Sequence, residues 1–332
     1  MKKIGVLTSG GDAPGMNAAV RAVTRYGLSK GYEMMGIRRG YAGLVRDDIF
    51  SLDDGDVSGK INRGGTFLLT ARSERFRTGA GQEEALKNLD SSGIDALVII
   101  GGDGSLRGAE ALEEQGIQTI GIPATIDNDI PCTDYAIGFD TAVNTVIDAV
   151  DKIRDTATSH ERVFVVETMG RDNGLLTLAA GVAAGAESIL IPEIQFDLNE
   201  VCERVAEGYR QGKLHNLILV AEGVQLDGSP NFNDERENRV AFIIGDRIEE
   251  YTGHEVREIV LGHVQRGGPP SARDRIWASQ MGAKAIEALI EDQSGCMVAR
   301  RGEKLRLIPY NEVWQGKVEV EKSLYRLAHI IG

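Results

Sequence analysis

Residues 95–129 read DALVIIGGDGSLRGAEALEEQGIQTIGIPATIDND, and this stretch predicts the fold. The apolar run Ala96–Ile100 is too short for a helix and ends at two glycines, which predicts a buried strand. Apolar residues then recur at helical spacing until Gly116, and Gln118–Ile122 supplies a second strand that Pro123 ends. The stretch is therefore predicted to be one βαβ unit. Both of its loops follow the carboxyl ends of strands, where open α/β sheets bind ligands.

The two loops of this unit carry residues that suit phosphate chemistry. The glycines of residues 101–105, the second glycine turn of the chain, let the backbone bring N–H groups and a helix N-terminus close to phosphate oxygens. Asp103 would repel a bare phosphate, so its presence indicates a divalent cation between carboxylate and phosphate. The other loop offers Asp127 and Asp129 as a general base and its neighbour. Together the loops predict phosphoryl transfer.

Composition narrows the class of protein. The chain has 332 residues, enough for about two domains, and a formal net charge of −13, which argues against nucleic acid or an anionic membrane as partner. Three cysteines without metal spacing indicate a reducing compartment. The N-terminus does not read as a signal peptide, and the most apolar later segment, Leu175–Ala186, is too short to span a bilayer. A cytoplasmic protein is predicted.

A first glycine turn, residues 10–15, lies near the start of the chain. It follows a strand predicted at Ile4–Thr8 and precedes a helix predicted at Ala18–Leu28. Its outer glycines have the spacing of a P-loop, but Met16-Asn17 stands where lysine and serine or threonine are required. Its two adjacent glycines also break the dinucleotide-binding pattern. Either glycine turn could be a plain strand–helix connection, but two of them after apolar strands favour phosphate binding.

Arginines are concentrated between Ile61 and Arg77. One interpretation is a solvated loop with surface ion pairs, which contribute little to stability. The other puts Arg72 on a transferring phosphoryl group, where a planar guanidinium neutralises developing charge. The residues alone do not distinguish Arg72 from its neighbours Arg63, Arg75 and Arg77.

Further strands and helices are predicted in the later part of the chain. Strands are predicted at Val163–Val166, Ser188–Ile191, Leu217–Val220 and Val256–Leu261, and helices from Val143 to about Thr156, from Val240 to Tyr251, at Ala272–Ile290 and at Val320–Ile331. The alternation predicts two mostly parallel sheets. The polar stretch at residues 225–238 is predicted to be an exposed loop.

Charged residues stand at the ends of the later strands. Arg162 precedes Val163–Val166 and Arg171 follows it, so one site in one subunit does not accommodate both unless a second subunit contributes. His263 and Arg266 follow the last strand, beside two glycines. A lone histidine is more often structural than catalytic, and only its position after a strand makes His263 a candidate functional residue.

With these residues assembled, the chain resembles the bacterial-type ATP-dependent 6-phosphofructokinases. The resemblance implies two doubly wound, Rossmann-like α/β domains with the active site in the cleft between them, and a homotetramer whose subunits share sites. It assigns residues 1–138 and about 265–310 to an ATP-binding domain, and about 139–264 and 311–332 to a fructose 6-phosphate-binding domain. It rests on motifs in family order from Lys3 to about Met297: LTSGGDAPGMNAA, RGGTFL-x-x-AR, VIIGGDGS, TIDNDI, IRDTA-x-SHER, VVE-x-MGR, VAEG and VLGHVQRGG.

The resemblance also implies roles for individual residues. Asp127 would be the general base that takes the proton of the sugar 1-hydroxyl, assisted by Thr125, Asp129, Arg171 and Arg72. ATP would be surrounded by Gly11, Tyr41, Arg72, Ser73, Gly102, Asp103, Gly104 and Ser105, with Mg²⁺ on Asp103. Fructose 6-phosphate would be bound by Thr125, Asp127, Met169, Gly170, Arg171, Glu222, His263 and Arg266, and by Arg162 and Arg257 of an adjacent subunit.

The phosphoryl donor depends on two positions. Relatives that use pyrophosphate carry Asp where Gly104 stands and Lys where Ala124 stands. A side chain at 104 would crowd the space that the α-phosphate and nucleoside need, so Gly104 favours ATP. The polar loop and the C-terminal region resemble a longer branch that contains many pyrophosphate enzymes, and a pyrophosphate-dependent phosphofructokinase is the alternative.

Regulation is predicted to be present but weakened. The positions that match family effector residues, for ADP or phosphoenolpyruvate, are Arg21, Arg25, Arg154, Gly185, Glu187, Lys213 and His215. Gln211 and Asp54 stand where some regulated members carry basic residues. Loss of a cation weakens anion binding, and a carboxylate repels the anion.

Two other classes of protein are alternatives. A nucleotide-dependent oxidoreductase is suggested by the βαβ unit, but Arg107 stands where the third glycine should be. A non-catalytic sugar-phosphate sensor should have lost the base or the metal ligand, whereas Asp127 and Asp103 are both present.

Overall fold

The computed structural model of the protein describes residues 2–226 and 239–331. The chain divides into two compact units: the first runs to Thr141 and includes Arg266–Val318, and the second comprises Ala142–Gln265 and the residues from Glu319 onward. The predicted polar loop at 225–238 lies, from residue 227, outside the described residues. Of the helices in the described ranges, none combines the length and apolar character that crossing a membrane requires.

Strands and helices alternate from β1 to α9, and two strands and two helices follow. In chain order they are β1 (Lys3–Ser9), α1 (Met16–Ser29), β2 (Glu33–Ile37), α2 (Gly40–Val45), β3 (Ile49–Leu52), α3 (Gly79–Ser92), β4 (Ala96–Gly101), α4 (Asp103–Glu113), β5 (Gln118–Pro123), α5 (Phe139–His160), β6 (Val163–Thr168), α6 (Leu175–Ala184), β7 (Ser188–Leu190), α7 (Leu198–Arg210), β8 (Asn216–Ala221), α8 (Val240–Thr252), β9 (Val256–Val260), α9 (Ala272–Ile290), β10 (Cys296–Arg301), β11 (Lys304–Pro309), α10 (Tyr310–Val313) and α11 (Lys322–Ile331).

The sheet of the first unit has the strand order β11-β10-β5-β4-β1-β2-β3. Its inner strands are parallel, and β3 and β11 are antiparallel at the two edges. The register puts Ser9 opposite Gly101, and Gly101 opposite Pro123. The loops that follow β1, β4 and β5 therefore leave the sheet at adjacent points of its carboxyl edge, where ligands bind in open α/β sheets.

Helices cover both faces of this sheet because its central strands are apolar throughout. Every residue of β4 is buried. Leu97 and Ile99 belong to a buried cluster with side chains of α2, α3, α4 and α10, while α1 and α9 pack against each other. Burial of one such side chain contributes about 1.5–3 kcal/mol to stability. This core holds the ends of β1, β4 and β5 in place.

The sheet of the second unit is parallel throughout, in the order β7-β8-β6-β9. Thr168 at the end of β6 lies opposite Ala221 at the end of β8. Residues 169–171 and Glu222 therefore emerge side by side. The two mostly parallel sheets confirm the predicted fold class.

The structure differs from the predicted elements at several boundaries. Helix α5 continues to His160 beyond the predicted end near Thr156, and in this last part the Thr158 and Ser159 hydroxyls donate to carbonyls four residues earlier, at 3.0 and 2.8 Å. The last helix begins at Lys322 rather than Val320. The strands β3, β10 and β11 were not predicted, although residues 304–307 of β11 alternate polar and apolar side chains as an edge strand does.

Candidate active site

The second glycine turn leads directly into α4. Gly102 is the extended N-cap and Asp103 is the first helical residue, and no side chain caps the helix. A Cβ atom added at Gly104 would meet no atom within 4 Å. Gly104 therefore borders open space at the start of α4, beside the Asp103 carboxylate. This geometry suits a phosphate group with a cation between it and Asp103.

The loop that carries Asp127 lies against this turn. The Ala124 N–H donates to the Gly101 carbonyl at 2.9 Å, and a Cβ added at Gly102 would lie 3.9 Å from the Thr125 Cβ. Asp127 is 2% exposed, and its N–H donates to the Thr125 hydroxyl at 3.2 Å. The structure thus brings the predicted base and the predicted phosphate turn to one edge of one sheet.

Asn128 holds the conformation of the same loop. Its φ of 53° is in the left-handed region, which asparagine tolerates better than most residues. Its side-chain amide donates to the Asp134 carbonyl at 3.1 Å and accepts from the Ala136 N–H at 2.7 Å. The neighbouring Asp127 and Asp129 are therefore on a braced loop, as a positioned base requires.

The first glycine turn differs because the N-terminus of its helix is covered. A Cβ added at the N-cap Gly15 would lie 2.6 Å from Ile137 Cγ2 and 3.5 Å from Asp274 Cβ. Asp274 is fully buried, and its carboxylate accepts from the N–H groups of Gly138 (2.9 Å) and Thr141 (2.8 Å). An anion has neither the space nor the favourable charge to bind at the start of α1.

Gly10 and Gly11, at the other end of the first turn, border the second turn. A Cβ added at Gly10 would lie 3.2 Å from the Ser105 hydroxyl. A Cβ added at Gly11 would lie 2.7 Å from a guanidinium nitrogen of Arg266, which donates to the Asp12 carbonyl at 3.3 Å. The predicted nucleotide residue Gly11 therefore lies beside the predicted phosphate residue Arg266.

Tyr41 supports the second turn from beneath. It is 5% exposed, its hydroxyl donates to the Ser105 carbonyl at 2.6 Å, and its ring stacks on Phe76 with centroids 4.2 Å apart. Burial raises the pKa of the Tyr41 phenol well above its ordinary value, so the phenol keeps its proton and remains a donor. Ser73 accepts from the Phe76 N–H at 3.2 Å, and Arg72 is exposed beside it.

The carboxylates suit a magnesium ion shared with a ligand. Across residues 2–226 and 239–331, no three His, Cys, Asp or Glu side chains converge as a metal-binding cluster. Mg²⁺ characteristically binds through one or two carboxylates, substrate phosphates and retained waters. Asp103, half-buried at the open start of α4, fits that arrangement.

The second unit assembles four of the predicted sugar residues. Glu222 Oε1 accepts from the N–H groups of Gly170 at 3.2 Å and Arg171 at 2.9 Å. Met169, Gly170 and Arg171 follow β6 directly, and Arg171 has a φ of 54°. The backbone and one carboxylate thus form a compact polar surface at the carboxyl edge of this sheet.

Gln265 completes this surface, and no role was predicted for it. It is fully buried, its Oε1 accepts from the Met169 N–H at 3.2 Å, and its amide donates to the Gly262 carbonyl at 2.9 Å. The available signal was its position inside the motif VLGHVQRGG, between His263 and Arg266.

The predicted 6-phosphate residues do not converge within one chain. Arg162 and Arg257 lie at the amino ends of β6 and β9, where both pair with Glu255, at 2.6 Å for the Arg162 Nε. His263 and Arg266 follow the carboxyl end of β9. Glu255 was not predicted, because its role depends on two arginines that the fold brings together.

Most predicted effector residues of the second unit form one cluster. Arg154 donates to the carbonyls of Ala184 and Gly185, at 3.2 Å for the latter. Glu187 accepts from the Leu217 N–H at 2.8 Å and lies 4.0 Å from the His215 ring. Lys213 follows α7 nearby in the chain.

The effector residues of the first unit are Arg21 and Arg25, both on α1. The Arg25 Nε lies 3.1 Å from Asp54 Oδ1, so this arginine already faces a carboxylate. The Gln211 amide of the second unit donates to Glu207 at 2.8 Å.

Comparisons with known proteins agree with this chemistry. The sequence model of the family described as Phosphofructokinase matches residues 3–289. An ATP-dependent 6-phosphofructokinase of Halothermothrix orenii is 58% identical over 332 residues, covering 100% of this chain and 99% of its own. The protein of that name from Clostridium botulinum strain Hall is 51% identical over 331 residues, with 100% and 99% coverage.

Solved structures show the same likeness. The phosphofructokinase of Saccharomyces cerevisiae superposes with a TM-score of 0.86 at 38% identity, over 95% of this chain and 45% of its own, so this chain spans less than half of the yeast chain. A pyrophosphate-dependent phosphofructokinase of Marinobacter aquaeolei superposes with a TM-score of 0.84 over 97% of this chain and 86% of its own. At 21% identity, this second likeness shows the fold alone.

Proposed function

The chain belongs to the phosphofructokinase family, and from that premise we propose that it transfers the γ-phosphoryl group of ATP to the 1-hydroxyl of fructose 6-phosphate. The product is fructose 1,6-bisphosphate. The observation that supports this most strongly is the side-by-side arrangement of the open α4 N-terminus and the buried Asp127 at one sheet edge. One loop binds the donor phosphates and the other accepts the proton of the nucleophile.

The proposed chemical step is a direct displacement at phosphorus. The Asp127 carboxylate takes the proton of the 1-hydroxyl as the sugar oxygen bonds to the γ-phosphorus, and the bond from that phosphorus to the β,γ-bridging oxygen breaks, releasing ADP. Such a transfer needs positioning and charge neutralisation more than covalent catalysis. Thr125 holds the Asp127 backbone, and Arg72 and Arg171 neutralise charge on the transferring group.

Asp103 holds Mg²⁺ in this proposal, together with oxygens of the donor phosphates. The ion, when bound, neutralises charge that develops on the phosphates during transfer. The Gly104 N–H binds the phosphate oxygens, while the Ser105 N–H donates to the Gly102 carbonyl at 3.0 Å and Tyr41 keeps the Ser105 carbonyl in place. Asp103 at the first position of α4 thus acts on the donor rather than on the sugar.

The residues that follow β6, β8 and β9 supply the groups that bind the sugar phosphate. Met169, Gly170, Arg171 and Glu222 bind the sugar, and His263 and Arg266 bind its 6-phosphate. Arg162 and Arg257 lie at the opposite edge of their sheet, which supports a contribution of these two to a neighbouring subunit's site in a homotetramer. The first unit then binds ATP and the second unit binds fructose 6-phosphate.

ATP, rather than pyrophosphate, is the donor. A Cβ added at Gly104 would meet no atom within 4 Å, which supports a place there for the α-phosphate and nucleoside. Ala124 is fully buried and forms a β-bridge with Ile137, so a lysine there would have to bury its ammonium group. The curated relatives named above are ATP-dependent. The oxidoreductase and sensor alternatives are dropped, since the family is that of a kinase and both carboxylates are present.

Effector binding is proposed to be weak. The Arg25–Asp54 pair offsets one of the cations that an anionic effector such as ADP or phosphoenolpyruvate would meet, and Gln211 adds no charge. Fructose 6-phosphate saturation is therefore expected to respond little to ADP. Strongly sigmoidal saturation that micromolar ADP relieves would contradict this. A cytoplasmic location stays a prediction.

A side-by-side assay tests the proposed function. Fructose 1,6-bisphosphate formation is measured with Mg-ATP and with Mg-pyrophosphate, for the wild type, Asp127→Ser and the matched surface control Asp90→Ser. We expect ATP to be the much better donor, and Asp127→Ser to lower turnover by roughly 10²–10⁴, the usual contribution of a general base. The proposal fails if pyrophosphate is the preferred donor, or if Asp127→Ser turns over like the control.

A further inference from the structure

Asn17 directs its whole side-chain amide at one segment of the chain. It is 2% exposed in the first turn of α1, and its Nδ2 donates to the carbonyls of Arg63 at 3.0 Å and Gly64 at 3.1 Å. Its Oδ1 accepts from the Phe67 N–H at 2.8 Å. This is the position at which a P-loop carries the hydroxyl that follows its lysine, yet Asn17 is turned to protein backbone.

Two threonines fasten the same segment, which we call the arginine-bearing segment (residues 63–73). The Thr8 hydroxyl lies 2.7 Å from that of Thr66 and donates to the Leu69 carbonyl at 3.0 Å. The Thr70 hydroxyl donates to the Gly10 carbonyl at 2.6 Å. Leu69 has a φ of 62°, a conformation that leucine adopts only when surrounding contacts impose it.

Arg72 follows these contacts directly and is held on its other side as well. The Ser73 hydroxyl accepts from the Phe76 N–H, and Phe76 stacks on Tyr41, whose hydroxyl is bonded to the Ser105 carbonyl. The exposed Arg72 therefore lies between two braced points, one on the first glycine turn and one beneath the second.

We propose that Asn17 is a positioning residue of the reaction, which holds the arginine-bearing segment so that the Arg72 guanidinium stays in place for the transferring phosphoryl group. The role of Arg72 rests on the proposed function, whereas the bonds of Asn17 do not. A guanidinium on a loosened segment would have to be ordered in each turnover, and loss of orientation lowers the rate of a transfer that depends on positioning. The first glycine turn and the start of α1 then serve the donor site through the Gly10 carbonyl and the Asn17 side chain, without binding phosphate themselves.

The most informative variant is Asn17→Asp, which keeps the shape but turns two donors into acceptors that face the Arg63 and Gly64 carbonyls. Asn88→Asp is the matched control, because the Asn88 amide also donates to two successive carbonyls, those of Leu44 at 2.9 Å and Val45 at 3.0 Å. Thr70→Val, with Thr70→Ser as its conservative counterpart, provides a second test should Asn17→Asp fold poorly. Each variant is also made in an Arg72→Ala background.

Two readouts are compared, kcat under saturating Mg-ATP and fructose 6-phosphate, and exchange of the Phe67 amide with solvent deuterium. We expect Asn17→Asp to lower kcat by about 10- to 100-fold, within the range that misplacement of a catalytic group causes. It should also speed Phe67 exchange, because repulsion between the carboxylate and the Arg63 and Gly64 carbonyls opens the segment, even though Oδ1 can still accept from the Phe67 N–H. Thr70→Val should do the same more weakly, and Thr70→Ser should restore the wild-type values. Asn88→Asp should leave both readouts near wild type.

In the Arg72→Ala background, Asn17→Asp should lower kcat no further, because two residues that act through one group are not additive. The inference is overturned if the two losses multiply, if Asn88→Asp lowers kcat as much as Asn17→Asp, or if Phe67 exchange is unchanged. A wild type without ATP-dependent phosphorylation would instead defeat the proposed function, and Phe67 exchange would still decide whether Asn17 holds the segment.

Discussion

The two glycine turns begin with the same three letters, Gly-Gly-Asp, and end β1 and β4, which are neighbouring strands of one sheet. In the second turn Asp103 is already the first residue of its helix, and the space over Gly104 is open. In the first turn the helix begins only at Met16, and its N-cap Gly15 packs against Ile137 and Asp274. One helix N-terminus can receive a phosphate, and the other is part of the core.

We infer from this difference that such a glycine turn binds phosphate only where the helix N-terminus behind it is accessible. The motif provides backbone flexibility in both turns, but the residues between the glycines and the helix decide where the N–H groups point. In the first turn those extra residues bring the start of α1 against Ile137 and Asp274, and the side chain of Asn17 bonds to a neighbouring loop.

The largest effect is expected when the aspartate of each glycine turn, Asp103 or Asp12, is replaced by asparagine. Asp103→Asn should lower kcat/KM for Mg-ATP by about 10²–10³, since removal of a metal ligand costs several kcal/mol of transition-state stabilisation. Asp12→Asn should change it by less than about threefold, well under 1 kcal/mol. Steady-state kinetics at varied Mg²⁺ concentration compare the two, and equal losses would break the contrast.

The next largest effect is expected on the stability of the protein, from a substitution in the first glycine turn, whose helix N-terminus is covered. Gly15→Ala puts a methyl group 2.6 Å from Ile137 Cγ2 at a φ of 110°. Overpacking and backbone strain each cost about 1–3 kcal/mol, so a loss of roughly 2–5 kcal/mol is expected. Urea unfolding measures this loss. The activity of the remaining folded protein should be close to wild type, and a variant as stable as wild type would refute the packing argument.

A glycine-to-alanine substitution in the second glycine turn should instead preserve stability and weaken ATP binding. Gly104→Ala adds a methyl group that meets no protein atom, and alanine favours the helix over glycine by about 1 kcal/mol. Stability should therefore stay the same or rise. KM for ATP should increase about 5- to 20-fold, or 1–2 kcal/mol, because the methyl group occupies ligand space. Unchanged ATP kinetics would show that the nucleotide lies elsewhere.

The smallest expected effect is on the pH dependence of stability, and it concerns Asp274 behind the covered turn. Burial raises the pKa of this carboxyl above its ordinary value, against hydrogen bonds from Thr141 and Gly138 that lower it. The folded protein therefore keeps the proton at pH values where the unfolded chain has released it. The contribution of this group to the free energy of unfolding thus falls as pH rises from the unfolded pKa through the raised folded pKa.

The Asp274→Asn variant has no titratable group at position 274. Its free energy of unfolding should therefore lack this part of the pH dependence. Urea unfolding across the acidic range measures the difference between the two proteins. Since other buried carboxylates, such as Glu167, contribute equally to both, the difference isolates Asp274. Parallel curves for the two proteins would contradict the assigned shift.

Much of the fold and part of the site could be predicted from the sequence. Long apolar strands and helical periodicity gave the alternation of strands and helices, and the motifs predicted Asp103 and Asp127 at neighbouring loops. The sequence did not separate the two glycine turns, because the coverage of α1 depends on Ile137 and Asp274, which are distant in the chain. Gln265 and Glu255 were missed for the same reason, since their partners Met169 and Arg162 come from other strands.

Amide hydrogen exchange with and without Mg-ATP tests most directly that the donor phosphates bind at the start of α4. The account predicts that the amides of residues 103–106 exchange more slowly with Mg-ATP bound, by at least about tenfold, which corresponds to 1.4 kcal/mol of added protection. The amides of residues 16–19, at the start of α1, should be unchanged. Protection of residues 16–19 with no change at 103–106 would contradict the account.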